Sequence, residues 1–289
     1  MLRIIDGQIF EGKPSADRFT LTIHDLGNGH REGCVQRATD WEHVGPLDPE
    51  SICAKVLRGE MEDPQAAEKA ETNRRRSARR AKTRVRRLCK ALGVDCLLTL
   101  TYRTNQTDLA LCKAHFKAFV RSVRATIPGF AYVAAFEQQR RGAWHVHVGT
   151  HRLPSRIKIK GTSCKSWNIL RAAWRRVNGE SNTGTVNAQN AKPYHSPARL
   201  AAYMSKYMMK AFEEGEAWSN RFSSSSMGNI PKPVRLEFHR YQLADLIDLA
   251  VSEVCVGASD NFTWLSRFGD TFYVSSEPDN GRLCRPWEV

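Results

Sequence analysis

The sequence predicts an α+β protein, and three observations point to that class. Cys96–Tyr102 is a short apolar, β-branched run; Tyr132–Glu137 and Trp144–Thr150 are two further strand-like runs joined by the turn Arg140-Arg141-Gly142; several long segments of helical periodicity surround them. With 289 residues the chain can bury a substantial core in one or two domains. Its formal net charge of +14 and pI near 9.6 point to a polyanionic partner, nucleic acid before any other. No apolar run approaches the length of a membrane-spanning helix, and Met1–Asp6 has no signal-peptide character. The expectation is a soluble, cytoplasmic protein. Eight cysteines without a C-x-x-C pair read as free thiols in a reducing compartment, not as a zinc knuckle.

Taken in order, residues 1–60 offer only short apolar pieces such as Phe19–Ile23. Gly7–Lys13 has phosphate-loop spacing, but Pro14 stands where the metal-binding Ser or Thr belongs, which argues against a built-in NTPase. Asp63-Pro64 opens a helix that should run to Leu92 and stop at Gly93. Ala78, Ala81, Val85, Leu88 and Leu92 form its apolar stripe, while Arg75, Arg79, Arg80, Arg84 and Arg86 belong to a nearly uniform run of cations. Such a run repels itself, and a phosphate backbone relieves the repulsion; the plainer alternative is a solvated face. A second helix is expected from Asp108 to Arg124. After the hairpin, Arg152–Lys165 reads as a loop whose Arg156, Lys158 and Lys160 suit the backbone of single-stranded DNA. A helix over Ser166–Val177 packs through Trp167, Leu170, Trp174 and Val177; Gly179–Pro193 is loop-like around a short strand at Thr185–Asn187. Ser196-Pro197 opens another helix. Residues 213–233 read as a mobile connector, followed by a strand at Val234–Phe238 and a helix at Tyr241–Val251 that needs a partner surface.

Two constellations carry chemistry. His145 and His147 alternate with Val146 and Val148, so on a strand both imidazoles share one face while the valines enter the core. That is the pattern of a two-toothed metal clamp, although two histidines can also simply line a polar face. Tyr203 and Tyr207, with Lys206 and Lys210 at the same four-residue step, place two phenols on one helix face with cations beside them. Tyrosines on an amphipathic helix are also common core or rim residues.

The ordered set Leu97–Tyr102, His145-Val146-His147 and Tyr203-Met204-Ser205-Lys206-Tyr207 resembles the three motifs of HUH endonucleases, specifically the two-tyrosine rolling-circle replication initiators of single-stranded DNA phages. The resemblance covers roughly residues 80–235. It implies an antiparallel β-sheet flanked by helices, the HUH or RRM-like palm, with helical extensions. Residues 1–62 would be an N-terminal region of unclear role, 63–240 the endonuclease domain with its basic leading helix, and 241–289 a C-terminal helical extension. It further implies that His145, His147 and Glu137 hold Mg²⁺ or Mn²⁺, with Gln139 as the alternative third ligand and a hairpin salt bridge to Arg140 or Arg141 as the alternative role of Glu137. Tyr203 and Tyr207 would be the nucleophiles, and Lys206 and Lys210 would offset phosphate charge or lower a phenol pKa. His151 is expected at the rim. The implied activity is site-specific nicking and rejoining of single-stranded origin DNA through a 5′-phosphotyrosine, with host helicase and polymerase as partners in a bacterial cytoplasm. A two-tyrosine HUH transposase and a non-enzymatic basic DNA-binding repressor stay open as alternatives.

Overall fold

A computed structural model describes residues 1–179, 183–186, 196–213, 221–225 and 230–278, with the side chains at 183–185 and 207–213 outside that description. The chain forms two compact units. One comprises Met1–Asn73 with Pro231–Asp279, the other Arg74–Ile230 with Asn280–Val289. The first joins segments that the sequence reading assigns to different regions, and it does so by strand pairing.

In that first unit β1 (Leu2–Ile5), β2 (Gln8–Asp25) and β3 (Arg31–Pro46) form an antiparallel meander. β11 (Val234–His239) pairs with β2, and the hairpin of β12 (Ala258–Leu265) and β13 (Thr271–Pro278) joins the other side through β13 and β3. Helix α6 (Leu243–Val254) covers one face, packing Leu246, Ala250 and Val254 against Phe19, Leu21, Val35, Phe272 and Val274. This is the surface that the apolar positions of the expected Tyr241 helix required. Gly33 permits the approach, since a Cβ there would lie 2.8 Å from Val254 Cγ2. The C-terminal region is therefore one helix followed by a hairpin, not a wholly helical extension; Phe272 and Val274 alternate inward at the strand period. The phosphate-loop spacing at Gly7–Lys13 falls on the start of β2, where the backbone pairs with β1 and β3 and forms no cradle.

The second unit is built on an antiparallel sheet in the order β10-β5-β6-β4-β9, with β4 at Cys96–Tyr102, β5 at Tyr132–Gln138, β6 at Trp144–Thr150, β9 at Thr183–Val186 and β10 at Phe222–Ser224. Its antiparallel strands with flanking helices are the expected α+β architecture. One face carries Leu98, Leu100, Phe136, Val146 and Val148 and is covered by α3 (Leu109–Arg124) and α4 (Ser166–Asn178). Asp108 caps α3 by accepting from the backbone N–H groups of Ala110 and Leu111. Trp174 is fully buried, and its indole N–H donates to the Thr101 carbonyl at 2.9 Å. The other face carries Val133 and Ala135 and is covered by α2 (Ala66–Leu92) and α5 (Pro197–Glu213).

All five members of the expected α2 stripe are buried. Gly93, at φ 62°, ends the helix with reverse turns back to the Lys90 and Cys89 carbonyls. Burial alone pushes the Cys89 thiol up to about 12, so it behaves as a small core hydrophobe. Two expectations change here. Arg152–Lys165 is not a loop but a hairpin of β7 (Arg156–Ile159) and β8 (Thr162–Lys165), closed by Lys160 and Gly161, both at positive φ. Part of the expected connector, Phe222–Ser224, is an edge strand paired to β5.

Candidate active site

The register of β5 and β6 sets His145 opposite Glu137 and His147 opposite Ala135, while β4 sets Thr99 opposite His147. Because strand residues alternate, Glu137, His145, His147 and Thr99 rise from the face that α2 and α5 cover. His147 is buried; its Nε2 lies 2.8 Å from Glu137 Oε2 and its Nδ1 3.3 Å from the Thr99 hydroxyl. The carboxylate accepts from Nε2–H and the hydroxyl donates to Nδ1, which fixes the ring between two neighbouring strands. Glu137 is itself buried, and its partner across the hairpin is His147 rather than Arg140 or Arg141.

His145 is held differently. Its Nδ1 lies 2.9 Å from the Gln139 amide, and its Nε2 is buried without a hydrogen-bond partner among the described residues. Burial holds its pKa below the usual histidine range, with His147 and Arg141 adding to the shift against Glu137. The ring is thus neutral at neutral pH, with one nitrogen left open for a ligand. Gln139 orients the imidazole and so has the geometry of a positioning residue rather than a third ligand.

Among the described residues no three His, Cys, Asp or Glu side chains already stand as a metal cage. The donor chemistry nonetheless fits a divalent ion, with two imidazoles, a carboxylate and one orphaned nitrogen. Two donors on one ion at about 2.1 Å and near right angles stand about 3 Å apart, close to the spacing of His147 Nε2 and Glu137 Oε2. Loading would exchange that hydrogen bond for two metal bonds.

Helix α5 brings the tyrosine motif to this same face. Ser196 caps it, its hydroxyl accepting from the Arg199 N–H at 3.2 Å, and Leu200, Ala201 and Met204 pack on the sheet. Gly149, two residues beyond His147 on the same face, sets the spacing: a Cβ there would lie 3.2 Å from Leu200 Cδ2 and 3.4 Å from Val94 Cγ2. Gly149→Val should push α5 off β6 and cost about 1–3 kcal/mol by overpacking. The denaturant midpoint measures the cost, and an unchanged midpoint would show that α5 has room to spare. Tyr203 is half-buried and Lys206 exposed; the side chains of Tyr207 and Lys210 lie outside the described residues. His151, expected at the rim, is instead buried with its Nε2 2.6 Å from the Leu92 carbonyl, where it serves the C-terminus of α2.

Residues 95–212 match the family model described as replication-associated protein ORF2. The match supports a rolling-circle replication initiator family, and the replication-associated segment contains β4, the two histidines and the tyrosine motif within its bounds. Searches of curated proteins and of solved structures give no match.

Charge divides unevenly around this segment. The unit formed by the chain ends holds 22 Asp and Glu against 12 Lys and Arg, whereas the unit containing the replication-associated segment holds 8 against 32. The overall excess thus hides an acidic unit, and phosphate attraction belongs to the other. On α2, Arg75, Arg79, Arg80 and Arg84 are exposed, or nearly so, whereas Arg86 is half-buried. Arg79, Arg80, Arg84 and Arg87 line one cavity of about 620 Å³ with Thr83 and Ile230. Replacing Arg79, Arg80 and Arg84 with Gln should weaken DNA binding and lower the slope of log affinity against log salt by roughly 2–3, one counterion per phosphate contact. An unchanged slope in a salt titration would make them a solvated face. Among the described residues no helix is long and apolar enough to cross a membrane.

Proposed function

We propose that this chain starts rolling-circle replication by nicking and rejoining single-stranded DNA at an origin through a covalent 5′-phosphotyrosine. One observation carries the reading: the tyrosine helix packs on the sheet face that bears His145, His147 and Glu137, inside the segment that matches a replication-associated family. A phenol of Tyr203 or Tyr207 attacks phosphorus, the bond to the 3′ oxygen breaks, and that oxygen takes up a proton and leaves as a free hydroxyl. The phosphorus remains esterified to the tyrosine, so one phosphodiester replaces another and no ATP is consumed. Rejoining is the reverse attack by a 3′-OH. With two phenols on one helix, one can hold the 5′ end while the other cuts the regenerated origin.

His145, His147 and Glu137 are the residues that would hold Mg²⁺ or Mn²⁺. When bound, the ion would supply Lewis-acid polarisation of the scissile phosphate. Gln139 and Thr99 orient the two imidazoles. Lys206 and Lys210 put positive charge on the helix that carries the nucleophiles, where it opposes the negative charge gathering on the phosphate oxygens. The α2 arginines supply sequence-independent affinity. Unwinding and synthesis fall to a helicase and a polymerase of the bacterial host, in whose cytoplasm the freed 3′-OH is a primer.

The test is direct. Wild-type protein incubated with labelled single-stranded origin DNA and Mn²⁺ should yield a protein–DNA adduct that survives a denaturing gel, with the label retained when it is on the downstream fragment. Cleavage without any adduct would replace the phosphotyrosine with a water-mediated hydrolysis.

A further inference from the structure

On the side of the sheet away from the histidines, residues 152–179 contain eight Lys and Arg and no Asp or Glu. The β7–β8 hairpin exposes Arg156, Lys158, Lys160 and Lys165 and turns Ile157 and Ile159 inward. It runs directly into α4, where the Ser166 N–H donates to the Ser155 carbonyl and the Lys165 ammonium sits 4.8 Å from the Trp167 ring centre. Helix α4 buries Leu170, Ala173 and Trp174 and leaves Asn168, Arg171 and Arg175 outward at steps of three and four, a single stripe. These three line a shallow groove of about 460 Å³ with Ala172, Arg176 and Gly179. Arg176 has a hydrogen bond to its own fold, at 3.4 Å to the Ser122 hydroxyl, whereas no carboxylate among the described residues pairs with Arg171 or Arg175.

We infer that α4 and the β7–β8 hairpin form a second DNA surface that reads double-stranded DNA, separate from the face that carries the candidate nucleophiles. Duplex fits better than single strand on three grounds. The stripe presents no exposed aromatic ring, and single-strand grooves depend on stacking platforms; Trp174 is fully buried and Trp167 lies under Lys165. A convex helix of about 10–12 Å diameter matches a major groove about 12 Å wide. Asn and Arg are the side chains that pair in bidentate fashion with adenine and guanine edges, and the basic hairpin beside them supplies phosphate contacts that fix register. The hairpin, which the sequence alone suggests for a single strand, belongs to this duplex surface. The inference requires DNA as ligand and does not depend on the tyrosine chemistry.

The experiment selects bound sequences from a random-sequence duplex library with the full chain, then measures affinity by anisotropy for the selected duplex and for one of its strands. Arg171→Gln/Arg175→Gln should bind the selected duplex at least about 100-fold more weakly, roughly tenfold or more for each bidentate arginine, and the single strand within about threefold of wild type. Arg171→Lys/Arg175→Lys keeps the charge without the fork, so it should keep the salt slope and lose the sequence preference. Equal losses on duplex and single strand, or a wild-type chain that enriches no duplex sequence, would overturn the inference. Adduct formation on single-stranded DNA is read in parallel, so that failure of the nicking reaction and failure of duplex reading appear separately.

Discussion

The Tyr203→Phe/Tyr207→Phe double variant is expected to form no covalent adduct, while each single variant keeps a measurable fraction. Phenylalanine preserves ring packing, which matters because Tyr203 is half-buried on a helix whose next residue, Met204, is fully buried against the sheet. Removing two hydroxyls therefore deletes both nucleophiles and little else. Replication should separate the single variants from wild type more sharply than the oligonucleotide does: once the remaining phenol holds the 5′ end, none is left to cut the regenerated origin, and over-length strands accumulate. If Tyr207→Phe alone removed all adduct and Tyr203→Phe behaved as wild type in both assays, the enzyme would work with one tyrosine. The two-nucleophile cycle would then have to be abandoned.

The second large effect is expected at His147. His147→Ala should abolish cleavage and leave most DNA affinity in place, because affinity comes from phosphate contacts spread over the basic unit. Stability should fall too. The substitution strips the imidazole hydrogen bond from the buried Glu137 carboxylate and from Thr99, and an unsatisfied buried acceptor costs about 1–3 kcal/mol, more when charged. His147→Gln separates these effects, since its amide can still donate to Glu137 while it is a poor ligand; it should be as inactive as the alanine variant and more stable. Full cleavage by His147→Ala in the presence of chelator would remove the metal from the mechanism.

How far the sequence can be read depends on how local the determining interactions are. The histidine pair, the α2 stripe and the α5 cap are legible because each is written in a few neighbouring residues. Hairpin logic places Glu137 near the histidines, but its partner, His147 rather than His145 directly opposite, depends on side-chain reach across the strands. The β7–β8 hairpin reads as a loop although Ile157 and Ile159 alternate with cations, because the lysines outweigh the period-two signal and Lys160-Gly161 is a less familiar turn pair. Residues 1–60 are the hardest. Gly12, Pro14 and Asp17 interrupt the apolar pattern of β2, and the structure absorbs them in a register shift between Pro14 and Phe19.

The pairing of β2 with β11 and of β3 with β13 also bears on how the chain reaches its native state. Ile23 meets Val234 and Cys34 meets Tyr273, so all of Arg74–Ile230 must be synthesised before either ladder can close. The replication-associated unit emerges first and is free to fold, while the N-terminal meander waits with open strand edges for partners still inside the ribosome. A chain that stops at Ile230 would keep every residue of the candidate site and yet leave β2 and β3 without their outer neighbours, a template for pairing with other chains. Such a truncation should fold its catalytic sheet and still aggregate, whereas cutting the gene to start at Arg74 and stop at Ile230 removes the stranded edges along with the need for them.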